Sequence, residues 1–487
     1  MKIIKIIIFP IICIAIIVLF TYLACKSLFA EIAVEQMLWH LKNTKLMVGA
    51  HTDKIKIFRY LITIIIYISL CSFLFLCDKK IASFIYAHIK KFSKSVSSNL
   101  ILHSLYLCEI GIGLAAFLYI AHFTPEIIHI CKEEFFPQAL EDNTFIADNI
   151  DYSAQSGLSF PNGKNNLVCI MVESMEDSFE GYIPELDKLR KQGFSLKNKL
   201  SPVHGTTWTI AAQTAWHFGL PLKPPKGINK NHYISRKGFL PKAVSIFDLL
   251  SQNGYKCVLV MGSDAYYSGT EILFSRHGQF DIYDKKYFQA NGYDMAQNQG
   301  IEFWGANDRF VLDRAFQIYN DLLLQNKPFV LFVVTIDTHA PDGFALPEDR
   351  KFNDIRDAIL ATDRNISNFV KKILEIREKR EKLALCVIGD HALMADPDFL
   401  KNSGQRHIYN FFTGNLPAVP KIKQTAPFST LDLAPTLLHM TGAQWATNRF
   451  GLGSSIFSNT PALIETIGKK NLDEFLSKHS TRYEEFY

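Results

Sequence analysis

Three apolar stretches, residues 6–25, 60–77 and 100–121, are each long enough to cross a lipid bilayer. At ~1.5 Å of helix per residue, about 20 residues cover the ~30 Å of hydrocarbon. The first two carry no charge, and the third holds Glu109, an ionisable group that at such depth faces protein or water. The spacing predicts a three-helix transmembrane anchor over residues 1–124. A cleaved signal peptide is the competing reading of the first run, because Lys2 and Lys5 precede it and Leu23-Ala24-Cys25 faintly matches a lipoprotein box. The run exceeds the ~7–15 apolar residues of a signal peptide, and Tyr22 stands where the box wants Leu.

Lys2 and Lys5, with Lys79, Lys80, Lys90, Lys91 and Lys94 between the second and third runs, set those segments on the cytoplasmic side. Three spans then deliver everything after about residue 125 to the outer face of the membrane. A polar stretch, residues 125–165, reads as a linker, and residues 166–487 as one extracytoplasmic domain. The net charge of +5, from 52 basic and 47 acidic residues, excludes a dedicated nucleic-acid binder. Nine cysteines without a CxxC pair suggest neither a zinc ribbon nor a disulfide framework.

Beyond the linker, short continuous apolar runs alternate with amphipathic segments, the pattern of an α/β domain with a mostly parallel central sheet flanked by helices. Strands are expected at 167–172, 256–261, 329–335 and 383–388, and helices at 243–252, 308–325 and 354–379. Cys169, Cys257 and Cys386 fall inside strands and read as free, buried thiols.

Each expected strand ends in polar residues: Glu173-Ser174, Gly262-Ser263-Asp264, Asp337-Thr338-His339 and Asp390-His391. One such end is ordinarily a turn or a helix cap. Four together converge on the edge where open α/β sheets bind ligands. Glu173, Asp390 and His391 are donors suited to one divalent Mn, Mg or Zn ion. A nucleophilic hydroxyl is expected in the segment from Ser201 to Ala212, where spacing leaves Thr206, Thr207 and Thr209 open.

In combination, Val-Glu173-Ser-Met-Glu, His204-Gly-Thr-x-Trp-Thr209-Ile-Ala, Gly-Ser-Asp264, Asp337-Thr-His339-x-Pro-Asp-Gly and Asp390-His391-Ala-Leu-Met resemble the phosphoglycerol transferase I family. That family is related to lipoteichoic acid synthases in the alkaline phosphatase and sulfatase superfamily. The resemblance implies a bacterial inner-membrane enzyme whose periplasmic domain moves phosphoglycerol from phosphatidylglycerol to periplasmic glucan hydroxyls through a covalent threonine. It implies Thr209 as nucleophile and metal ligand beside Glu173, Asp390 and His391, with Mn as the usual ion. It further implies substrate contacts from Trp208, Asp264, Arg276, His277 and His339, the last also the general acid. A polyglycerolphosphate polymerase, a phosphoethanolamine transferase and a catalytically silent binding protein are the alternatives. A sulfatase-type hydrolase needs a CxPxR-type segment, which the sequence lacks. Thr207 and Ala212 stand where the family carries glycine, and Trp216-His217-Phe218 replaces smaller residues, bulk expected to reshape the acceptor side.

Overall fold

A computed structural model describes residues 142–487 except 224–237, 293–304, 341, 381, 396 and 402–403, together with isolated positions between 13 and 111. The three apolar runs thus lie almost wholly outside the described residues. Among the described residues, no helix is long and apolar enough to cross a membrane. The chain divides into two compact units, and the one described below contains Glu141–Tyr487.

In chain order, the main elements are β1 (Asn166–Val172), α1 (Pro184–Arg190), α2 (Thr209–Phe218), α3 (Ile246–Gln252), β2 (Lys256–Met261), α4 (Thr270–Arg276) and β3 (Asp281–Tyr283). They continue with α5 (Asp308–Leu324), β4 (Phe329–Val334), α6 (Ile355–Arg380), β5 (Leu383–Gly389), β6 (Asn410–Gly414), α7 (Leu433–Met440) and α8 (Leu463–Ser477). Ser245 starts α3 by accepting the Asp248 N–H while the Asp248 carboxylate accepts the Ser245 N–H, which places the helix start inside the expected 243–252 segment.

The six strands form one sheet in the order β3-β2-β4-β1-β5-β6. All neighbours are parallel except β5 and β6, which run antiparallel. The four expected strands are its four central members. Their continuous apolar runs follow from burial on both faces. In β1, Leu167, Cys169 and Met171 join the core under α2, α3 and α7, while Val168, Ile170 and Val172 join the core under α1, α5 and α6. The edge strands were not expected. β3 is three residues long and partly exposed, and β6 reads Asn-Phe-Phe-Thr-Gly, too short to show a period.

Strand order has a direct chemical consequence. β1 lies between β4 and β5, so the polar ends of three strands meet at one edge of the sheet.

Candidate active site

Glu173 follows β1, and Asp390 and His391 follow β5 in the matching register, Val172 opposite Gly389. A side chain at Gly389 would stand 1.9 Å from the Met175 carbonyl, so glycine lets the two chain ends close. One ligand atom from each of Glu173, Asp390 and His391 lies within 4.8 Å of the others, and all three residues are buried. His391 Nε2 stands 3.3 Å from Asp390 Oδ2 and 3.5 Å from Glu173 Oε1. Its Nδ1 is 2.8 Å from the Ala392 carbonyl, which assigns the ring proton to Nδ1 and turns the Nε2 lone pair toward the carboxylates.

Thr209 opens α2 and is partly exposed. Its Oγ1 lies 3.2 Å from Glu173 Oε2 and 3.5 Å from His391 Nε2. Of the threonines that spacing left open, Thr209 thus has its hydroxyl beside Glu173 and His391. The Thr206 hydroxyl is buried, bonded to the Val203 N–H and carbonyl and receiving the Thr430 hydroxyl, so its bonding capacity is committed inside the fold. Gly219 ends α2 in a left-handed conformation, φ 63°, where a Cβ would meet the Phe450 carbonyl at 2.2 Å.

The cluster's electrostatics are those of crowded anions. Burial, then the Glu173 carboxylate, pushes Asp390 up to about 7, against the opposing pull of His391 and two backbone N–H groups. Burial lowers the His391 imidazole, but Asp390 and Glu173 outweigh it and hold the ring above its usual value. Among the described residues, Asp390 Oδ2 is buried without a hydrogen-bond partner. A bare carboxylate oxygen in such a place is costly unless a cation meets it. Two carboxylates, an imidazole lone pair and a hydroxyl therefore fit a divalent metal ion.

Ser174, which in sequence is only a polar strand end, has a role of its own. It holds a left-handed backbone, φ 52°, which costs about 1 kcal/mol or more for a side chain of this kind. That geometry sends its N–H to Asp390 Oδ1 at 2.8 Å and its hydroxyl to Glu173 Oε1 at 2.7 Å. One strained serine thus orients both carboxylates.

The turn after β4 is fastened from two sides. Glu173 N–H donates to the Thr335 hydroxyl at 3.0 Å, and the Thr338 hydroxyl donates to the Glu173 carbonyl. Asp308 accepts the Ile336 and Asp337 N–H groups, while Asp337 accepts the Asp308 N–H and the Asn307 side chain. This reciprocal clasp seats half-buried His339, whose Nδ1 faces the Ala340 carbonyl at 2.7 Å.

The other expected contacts are placed less uniformly. Asp264 follows β2, separated from β1 by β4 and so about 10 Å away across two strand spacings. It accepts the Tyr266 N–H and pairs with Lys286 at 3.1 Å. Arg276 is exposed at the end of α4, its side chain against Gly238. His277 is buried, with Nδ1 2.9 Å from Asp248 and Nε2 2.7 Å from the Phe239 carbonyl, so both nitrogens are committed within the fold. Trp208 is buried at the start of α2, and its indole N–H has no hydrogen-bond partner among the described residues.

The bulky side chains later in α2 lie in the core: Trp216 and His217 are fully buried, Trp216 packing against Phe332 and His217 edge-on against Phe247 and Phe274. Burial drives His217 down to about 3 and keeps it neutral.

Comparison with known proteins agrees with the motif resemblance. Phosphoglycerol transferase I of Salmonella paratyphi B is 28% identical over 323 residues, covering 63% of this chain and 41% of that protein. The chain thus spans about two fifths of the length of the curated relatives that it matches. Among solved structures, a protein of the alkaline phosphatase superfamily from Vibrio parahaemolyticus is 20% identical, with 67% of this chain and 77% of that chain covered and a TM-score of 0.48. The lipoteichoic acid synthase LtaP from Listeria monocytogenes is 16% identical, with 66% and 82% covered and a TM-score of 0.47. The family model described as Sulfatase matches residues 165–443, more than half of the chain and the whole strand-end cluster, and this chain belongs to that family.

Proposed function

We propose that this chain is a metal-dependent, membrane-anchored transferase that moves phosphoglycerol from phosphatidylglycerol to hydroxyl groups of a periplasmic glucan. Residues 1–124 are the three-span anchor, 125–165 the linker and 166–487 the catalytic domain on the outer face of the inner membrane. The observation that carries the reading is Thr209 Oγ1, a partly exposed hydroxyl at a helix start, 3.2 Å from Glu173 and 3.5 Å from His391. The relatives named phosphoglycerol transferase I support phosphoglycerol as the group transferred.

Glu173, Thr209, Asp390 and His391 would hold one divalent ion, Mn in the first instance with Mg or Zn as alternatives. Such an ion supplies charge neutralisation at phosphoryl oxygens. Thr209 Oγ1 attacks phosphorus, Glu173 Oε2 being the acceptor nearest to its proton, and a phosphothreonine ester of glycerol forms as diacylglycerol leaves. His339 is assigned the proton for the departing oxygen. A glucan hydroxyl then attacks the same phosphorus and restores Thr209. Asp264 and Arg276 orient the glycerol and phosphate, Trp208 walls the nucleophile, and His277 acts from behind by fixing Asp248 and Phe239.

The test is to give detergent-solubilised protein phosphatidylglycerol labelled in its glycerol headgroup, with Mn. Wild type should release diacylglycerol and retain label covalently, and Thr209→Ala should do neither. A variant as active as wild type, or a wild type inert toward every anionic lipid, overturns the assignment. Adding glucan should discharge the label.

A further inference from the structure

Cys169 on β1 and Cys386 on β5 are direct partners in the register of the sheet. Neighbouring strands lie ~4.8 Å apart, inside the ~4.4–6.8 Å between Cα atoms that a disulfide bridges. In-register side chains of parallel strands point to the same face, and in the structure both thiols are free and buried, as their place inside strands predicted. Both are fully buried in the same core. Each stands four residues before the cluster, Cys169 leading to Glu173 and Cys386 to Asp390. Cys257 provides a contrast, since it pairs with Val330 on β4, which separates β2 from β1.

We propose that Cys169 and Cys386 form a disulfide that ties β1 to β5 beneath the Glu173 and Asp390 carboxylates, made by a disulfide donor before the sheet closes. The inference rests on the outer-face placement of this domain proposed above, because disulfides persist in oxidising compartments. One cysteine thiolate attacks the donor disulfide and displaces the first donor thiolate. The second cysteine thiolate attacks the resulting mixed disulfide and displaces the other. The two cysteines lose two protons and two electrons, and the donor leaves as two thiols. Burial raises the Cys169 thiol well above its ordinary value, so attack from the folded sheet is slow and the bond belongs to the folding chain.

The full chain, taken from membranes of producing cells, is quenched in acid, denatured, alkylated with N-ethylmaleimide and digested for mass spectrometry, with and without prior reduction. The expected result is a peptide pair joined through Cys169 and Cys386 that is lost on reduction, with Cys257 alkylated in both samples. Alkylation of Cys169 and Cys386 without reduction, or pairing of either with another cysteine, overturns the proposal. Reductant should also lower the unfolding midpoint of wild type and leave that of Cys169→Ala unchanged; an unmoved wild type shows that the bond does not tie the strands. Thiol state is read without lipid. Free thiols in a chain that still transfers phosphoglycerol sink the cross-link alone, whereas a joined pair in an inert chain sinks the transfer reading alone.

Discussion

Ser174 gives the site its most economical control point, since it touches both carboxylates and holds a backbone that an ordinary side chain resists. Ser174→Ala keeps the N–H to Asp390 and loses the hydroxyl to Glu173. We expect metal affinity to fall about tenfold, read by competition with a chromogenic chelator. Asp390 sets the pH dependence. Its folded value near 7 exceeds the 3.8 of a free carboxyl, so the proton is held more tightly in the folded, metal-free state. The stability this group contributes is present below pH 3.8 and is lost as pH rises through about 7. Metal competes for the same oxygen, so affinity should weaken by up to about tenfold per pH unit below 7, as metal titrations from pH 5.5 to 8 would show. These roles were only half legible. Glu173, Asp390 and His391 stand out because they terminate apolar runs. Nothing in the letters marks Ser174 as left-handed or Thr206 as spent, and His277 sits in a motif yet faces inward.

At the scale of elements, the clasp between the start of α5 and the end of β4 is the support most exposed to a single change. Asp308 is buried and pushed up to about 7 by that burial, and it accepts two backbone N–H groups in the turn that carries His339. Asp308→Ala leaves both donors unsatisfied, which should cost about 3 kcal/mol. The expected readouts are a lower melting temperature and loss of most transfer activity. The central strands were legible because burial on both faces leaves an uninterrupted apolar signature. β3 and β6 were hidden by brevity and partial exposure, and the clasp by its dependence on partners 28 and 29 residues apart.

For the whole molecule, the proposed division of labour is that residues 1–124 bring the catalytic domain to a donor confined to two dimensions, and the domain supplies chemistry. A chain beginning at residue 142 should then remain in the aqueous phase and process a short-chain, monomeric phosphatidylglycerol at close to the full-length rate. On vesicles it should lose most of its activity, and full-length protein reconstituted into the same vesicles should not. Equal rates on vesicles would remove the anchor from the mechanism. The sulfatase-family plan was readable from the order of the strand-end motifs, whereas the acceptor lies with surfaces that no motif marks.

The central seat of β1 also governs when the protein can act. This strand is made first, yet its neighbours β4 and β5 follow only after Phe329 and Leu383, and Ser174 meets Asp390 across 216 residues of chain. Contacts of that reach close late in folding. A chain made only as far as β4 therefore has Thr209 but lacks Asp390 and His391, half of the residues around it. Under the proposed function, the cluster could not act on a lipid until synthesis had gone beyond His391.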